Sequence, residues 1–161
     1  MENKEILEFL KDYKELFQDR PENLDWAEIY NLAGARFRAD DLGKFTEFWL
    51  NRGIHPEEYL TELPMYFLCD SSIEEFTIPS NIKSIGNSAF SSCDSLTSIT
   101  IPDSVTNIGA NAFAYSKKLT NIRYNGTIAQ WNAIRVGMWW RSGIGDYTVY
   151  CIDGTLSGRG W

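Results

Sequence analysis

Between Ile78 and Tyr124 the chain repeats itself with a period of 23 residues. Ile78-Pro79 returns as Ile101-Pro102. Ile82, Ile85-Gly86, Ala89-Phe90, Leu96 and Ile99 return as Val105, Ile108-Gly109, Ala112-Phe113, Leu119 and Ile122. Almost all of these matched residues are apolar, Gly or Pro. Apolar positions kept in register over a fixed period are the pattern of a solenoid, in which a coil too small to bury its own apolar side covers it with the next coil.

Each coil divides into three parts. LTSITIP, like IEEFTIP and LTNIRYN, alternates apolar and polar residues and reads as a short strand. NIKSIG and SVTNIG make a second extended piece, ended by Gly86 or Gly109. NSAFSSC and NAFAYS read as one tight helical turn that carries Phe90 or Phe113 inward. Stacking places Ile73, Leu96 and Leu119 in one interior ladder and Ile78, Ile101 and Tyr124 in another. Upstream, LPMYFLCDSSIEEFTIP reads as the second half of an earlier coil, with Tyr66-Phe67 in place of Ala89-Phe90. Its first half fits poorly, with Tyr59 and Glu62 at the Ile82 and Ile85 positions, so the array is expected to begin near Pro64.

Residues 1–63 have a different pattern. Ile6, Phe9, Leu10, Tyr13, Leu16 and Phe17 recur at helical spacing, which predicts a helix over Glu2–Gln18 ended by Asp19-Arg20-Pro21. A second helix is expected from Asp25, with Trp26, Ile29, Tyr30, Ala33 and Phe37 on its apolar stripe. A third runs from about Asp41 to Asn51 with Leu42, Phe45, Phe48 and Trp49 inward, and Gly53 follows as its stop. The three helices either form a small bundle or dock as a cap on the first coil. A terminal coil needs such a cover, which favours docking. After Tyr124, Thr127 to Gln130 has capping-box spacing for a helix with Trp131 and Ile134 inward. Val136 to Asp146 reads as a loop and Tyr147 to Ile152 as a last strand. Residues 125–156 are thus a C-terminal cap and 157–161 a loose tail.

Charge is segregated. Residues 1–64 hold 15 acids and 8 bases, a net of −7, whereas residues 65–161 hold 7 of each. An acidic surface repels phosphates, so direct nucleic-acid binding is not expected. No apolar run approaches the roughly 18 residues of a membrane span, so no membrane partner is expected. The start, MENKEILEFLKDYKELF, is too acidic and amphipathic for a secretory signal, and the chain is expected in the cytoplasm. Cys69, Cys93 and Cys151 are odd in number and widely spaced, which points away from a disulfide framework or a zinc site. His55 is the one histidine. It has no supporting motif for a Ser-His-acid triad, and the adjacent acids Asp40-Asp41 and Glu74-Glu75 do not converge on one face. No catalytic residue, cofactor or metal is expected.

The repeated residues carry a resemblance. IPSNIKSIGNSAFSSCDSLTSITIPDSVTNIGANAFAYSKKLTNI resembles the leucine-rich repeats of the BspA-like type, with Leu-x-x-Ile-x-Ile-Pro where other leucine-rich repeats have Leu-x-x-Leu-x-Leu. The ending YNGTIAQWNAI…TVYCIDGTL is similar to the cap that often closes such arrays in gut bacteria and their phages. The resemblance covers residues 64–156 and leaves the helical region unmatched. It implies an α+β fold: a short leucine-rich repeat solenoid of one degenerate half-coil and two full coils, with an N-terminal helical domain or cap and a C-terminal helix–strand cap. It also implies binding of proteins or surface ligands through the array, and no enzymatic activity.

Three groups of residues are candidates for contact with a protein partner. Between the core positions of the strands lie Glu75, Ser98 and Asn121, then Thr77, Thr100 and Arg123. Trp139, Trp140 and Arg141 combine residue types common as interface anchors. Glu5, Glu8, Asp12 and Glu15 mark the wet side of the first helix. Two functions follow. One is a non-enzymatic interaction module using the array. The other is a phage- or mobile-element-encoded inhibitor whose acidic helices occupy a basic, nucleic-acid-binding surface of a host defence protein. A solvated surface with no partner is the plain alternative for each group.

Overall fold

The computed structural model describes residues 3–159. Glu2, the expected start of the first helix, and the last two residues of the expected tail lie outside them. Helix α1 (Asn3–Asp12) buries Ile6 and Phe9. The winding then tightens into a 3-10 turn at Lys14–Phe17, so the helix does not run on to Gln18. There Phe17 stacks on Trp49, with ring centroids 5.5 Å apart. Helix α2 (Trp26–Arg36) starts where the Asp25 carboxylate accepts the Glu28 N–H. Helix α3 (Ala39–Leu50) is followed by Gly53 at a positive φ. The ring of Phe45 contacts those of Phe9, Tyr30, Phe37 and Trp49 and forms the centre of the helical layer.

The solenoid follows. Its elements are β1 (Glu62–Leu63), β2 (Glu75–Thr77), β3 (Ser84–Ile85), β4 (Ser98–Ile101), β5 (Asn107–Ile108), β6 (Asn121–Tyr124), α4 (Ile128–Ala133), β7 (Arg135–Val136), β8 (Tyr147–Cys151) and β9 (Gly154–Gly158). Two sheets result, in the orders β1-β3-β5-β7 and β2-β4-β6-β8-β9. All pairings are parallel except that of β9 with β8. A buried column of Phe67, Phe90, Ile99, Phe113 and Ile122 lies between them. The helices share this core: Tyr30 meets Phe67 at 5.7 Å, and the Ser72 N–H donates to Glu47 Oε1 at 2.6 Å.

The third side of each coil is a turn rather than the expected helical turn. Ser88 and Ser92 in one coil, and Asn111 and Tyr115 in the next, have positive φ. This breaks any helix and sends alternate N–H groups to the following coil. Ser88, Phe90 and Ser92 donate to the carbonyls of Ala110, Ala112 and Ala114. Buried Ser116 ties the same coils together, donating to the Phe90 carbonyl at 2.6 Å and accepting the Cys93 N–H at 3.0 Å.

Two expectations about the ends are corrected. The array begins before Pro64, because its first coil is one residue short. Leu63 pairs with Ile85, 22 positions on rather than 23, and Leu60 and Leu63 are the buried residues while Tyr59 and Glu62 are exposed. The shift persists to Asp70: Tyr66 and Asp70 have the positive φ of Ser88 and Ser92. Phe67-Leu68, not Tyr66-Phe67, therefore stand for Ala89-Phe90. The missing residue falls before Ile73, and β2 pairs with β4 at the full 23. At the other end, Ser157 and Gly158 belong to β9 and pair with Thr148 and Tyr147, so the first two residues of the expected tail lie in an edge strand. The turn before it closes on Gly154 at φ +152, while the Asp153 carboxylate accepts the Ile128 N–H. Helix α4 has the expected capping box between Thr127 and Gln130, which gives Asn125-Gly126-Thr127 its role as turn and cap.

Candidate functional site: the open face of the five-stranded sheet

Along the long strands the burial alternates. Ile99, Ile122 and Val149 face the core, and their neighbours project from the sheet. Pairing aligns those neighbours in two rows. Glu75, Ser98, Asn121 and Thr148 form one, and Thr77, Thr100, Arg123 and Tyr150 the other. Strand β9 extends them with Ser157 and Thr155. With strands about 4.8 Å apart, the face is roughly 19 Å wide. Glu75, Thr77, Arg123, Tyr150, Thr155 and Ser157 are exposed, and the central residues are half-buried by their neighbours alone. Most of its groups are hydroxyls and amides, each able to donate and accept. Glu75 stands at one edge, and Arg123 lies beside Tyr150 towards the other.

The structure brings the six strand residues named from the sequence onto this one face. Thr148, Tyr150, Thr155 and Ser157 were not among them. Their signal was present as alternation in TVYC and TLS, but the first was read only as a closing strand and the second was split between a cap and a tail.

The other candidates lie elsewhere. Glu5 and Glu8 line a hollow of about 350 Å³ together with Arg36, Phe37, Arg38 and Asp41. Asp12 forms an ion pair with Arg36 at 2.7 Å, and Glu15 stands exposed in the 3-10 turn. The acidic side of α1 is therefore interrupted by Arg36 at the end of α2 and Arg38 in the link to α3. Trp139, Trp140 and Arg141 are in the fourth coil. Trp140 turns inward, with its ring 6.2 Å from that of Phe113, whereas Trp139 points out.

Burial perturbs the acidity of several packing groups among the described residues. The thiols of Cys69 and Cys93 are pushed up to about 11, mainly by burial, and Cys93 donates to the Leu68 carbonyl at 3.0 Å. No group of three or more His, Cys, Asp or Glu side chains placed to hold a metal exists among the described residues. Glu57 is buried in the 3-10 turn Pro56–Tyr59. Its Oε1 lies 3.1 Å from His55 Nδ1, and its Oε2 has no partner among the described residues. Burial raises its pKa above the usual 4.5, opposed by the backbone hydrogen bond and His55.

A carboxyl whose pKa is higher in the folded than in the unfolded state contributes stability below the unfolded value. That contribution is lost as pH rises through the folded value. Glu57→Gln is thus expected to match the parent below about pH 4 and to exceed it at pH 7, which urea midpoints at the two pH values would show.

A match to a known family agrees with this architecture. Residues 51–133 match the family described as BspA type leucine rich repeat region (6 copies). A leucine rich cell surface protein from Faecalibacterium prausnitzii A2-165, known from its crystal structure, is 41% identical over 47% of this chain and 20% of that one, with a TM-score of 0.43. The chain thus spans about a fifth of that protein's length. No curated protein matches the chain. No helix of the described residues is long and apolar enough to cross a membrane. The family match takes in more than half of the chain and spans the first three coils and α4; the chain belongs to the BspA-type leucine-rich repeat family.

Proposed function

We propose that the chain is a non-enzymatic protein-interaction module whose partner lies across the open face of the five-stranded sheet. The observation that carries this reading is the pair of aligned polar rows, from Glu75 to Ser157 and from Thr77 to Thr155, on a face backed by a stacked core. Such a face offers many hydrogen bonds at little cost in reorganisation, since parallel ladders on a packed core hold its backbone in place. Arg123 and Tyr150 are adjacent and are the residue types that anchor interfaces. They are the natural centre of the contact.

Affinity capture from a lysate of the source organism tests it, with the parent chain compared against the double variant Ser98→Arg/Thr100→Arg. Two guanidinium groups on β4, beside Asn121 and Arg123 of the central strand, should reduce recovery of the captured protein at least about tenfold, as expected when a hot-spot contact of some 1.4 kcal/mol or more is lost. The circular dichroism spectrum should be unchanged. Undiminished recovery by a folded double variant would move the contact off this face.

A further inference from the structure

In each coil the two turn residues of positive φ direct their N–H groups at the next coil. Tyr66 and Asp70 donate to Asn87 and Ser91, Ser88 and Ser92 to Ala110 and Ala114, and Asn111 and Tyr115 to Met138 and Ser142. In the fourth coil Trp139 and Gly143 have the same positive φ and stand at the same two places. No further coil follows them among the described residues. Strand β7 beside them likewise pairs only with β5.

This end carries an apolar patch. Val136 is 50% exposed, Met138 67% and Trp139 66%. A hollow of about 420 Å³ lined by Trp139, Trp140, Arg141 and Ser142 adjoins them. A positive φ is unfavourable for a bulky side chain, and Trp139 gains little burial in return. This end belongs to the net-basic part of the chain. Residues 104–161 contain six bases and only Asp146 and Asp153 as acids, a net of +4, against −11 for residues 1–103. Arg135 is exposed next to Val136, and Arg141 donates to the Arg159 carbonyl at 2.7 Å.

We propose that the open end of the fourth coil is a second docking surface, separate from the sheet face, for an acidic polypeptide segment with an apolar anchor. Backbone carbonyls of the segment would accept from the Trp139 and Gly143 N–H groups as a fifth coil would. The anchor would pack on Val136, Met138 and Trp139, and acidic side chains would face Arg135. The backbone donors select a polypeptide, and the charge selects an acidic one.

The test is panning of a random peptide display library on the intact chain, with the leading sequence made as a labelled peptide and titrated by fluorescence anisotropy. Enriched sequences should be net negative with a Leu, Phe or Trp. Trp139→Asn should weaken binding at least tenfold while leaving the melting temperature equal or higher, because Asn tolerates this backbone conformation and is what the third coil has at Asn111. Met138→Ser provides the same readout should Trp139→Asn lower the melting temperature. Arg135→Glu should weaken binding at least threefold and flatten its salt dependence.

No enrichment, enrichment of basic or uncharged sequences, or equal binding by Trp139→Asn and Met138→Ser would overturn the proposal. So would sedimentation of the chain with phosphatidylserine vesicles, or self-association in velocity sedimentation, if either is abolished by Trp139→Asn. Those results would assign the patch to a membrane surface or to a second copy.

Discussion

Phe113→Ala is expected to cost about 3–5 kcal/mol of folding free energy. The ring is fully buried. It stacks on Phe90 with centroids 5.4 Å apart and 6° between planes, and Trp140 covers its other side. Truncation opens a void at the joint between the third and fourth coils. Hydrogen bonds on all three sides of the coil set its spacing: Thr106 and Gly109 bond back to Lys83 and Ile85, Phe113 bonds forward to Trp140, and Thr148 bonds back to Thr120. The coils therefore cannot close on the gap. A domain with about 5–15 kcal/mol in total loses a large share of it. Urea denaturation should show a lower midpoint at an unchanged slope. Tyr115→Ala, two residues on and exposed, should stay within about 0.5 kcal/mol of the parent.

Gly43→Ala is expected to cost about 3 kcal/mol, at the upper end of overpacking penalties. A Cβ at Gly43 would lie inside contact distance of the Cys69 carbonyl oxygen, and 2.8 and 2.9 Å from the Cys69 carbon and nitrogen. Helix backbone and coil backbone meet there, so no side chain can swing aside. Helix α3 would have to back away from the first coil, loosening the bond from Ser72 to Glu47. Helix propensity alone has the opposite sign: Ala should stabilise a helix interior by roughly 1 kcal/mol over Gly. Gly34→Ala is expected to have that sign, since its added Cβ meets nothing nearer than Leu42 Cδ1 at 4.0 Å. A melting temperature raised by Gly43→Ala would mean that α3 is not docked against the first coil.

Most of the array was legible because apolar residues recur at one spacing and parallel pairing preserves that spacing in space. Glu75, Ser98 and Asn121 are 23 apart in sequence and adjacent in the sheet. Legibility failed where the spacing changed. The first coil lacks one residue, and a shift of one position exchanges the buried and exposed faces, so Tyr59 and Glu62 were read in place of Leu60 and Leu63. The fourth coil was read as a loop because α4 separates it from the third. Val136 pairs with Ile108, 28 positions earlier, and no search at 23 finds it. The positive-φ positions hold Tyr, Asp, Ser, Asn, Trp and Gly. No residue type marks them, and only the hydrogen bonds of the folded chain show their common role. For α1 the sequence shows the acidic stripe but not Arg36 and Arg38, which arrive from the end of α2 and the link after it.

Binding through the open sheet face can be tested most directly by placing a photo-crosslinking amino acid at Thr100 and, separately, at Thr106. Thr100 lies on β4, paired with Thr77 on one side and with Arg123 of the central strand on the other. Thr106 is exposed beside β5, in the other sheet. Irradiation of cells of the source organism expressing each version should give discrete covalent protein adducts from Thr100 and none from Thr106. Adducts from Thr106 alone, equal adducts from both, or none from Thr100 would contradict a partner on this face.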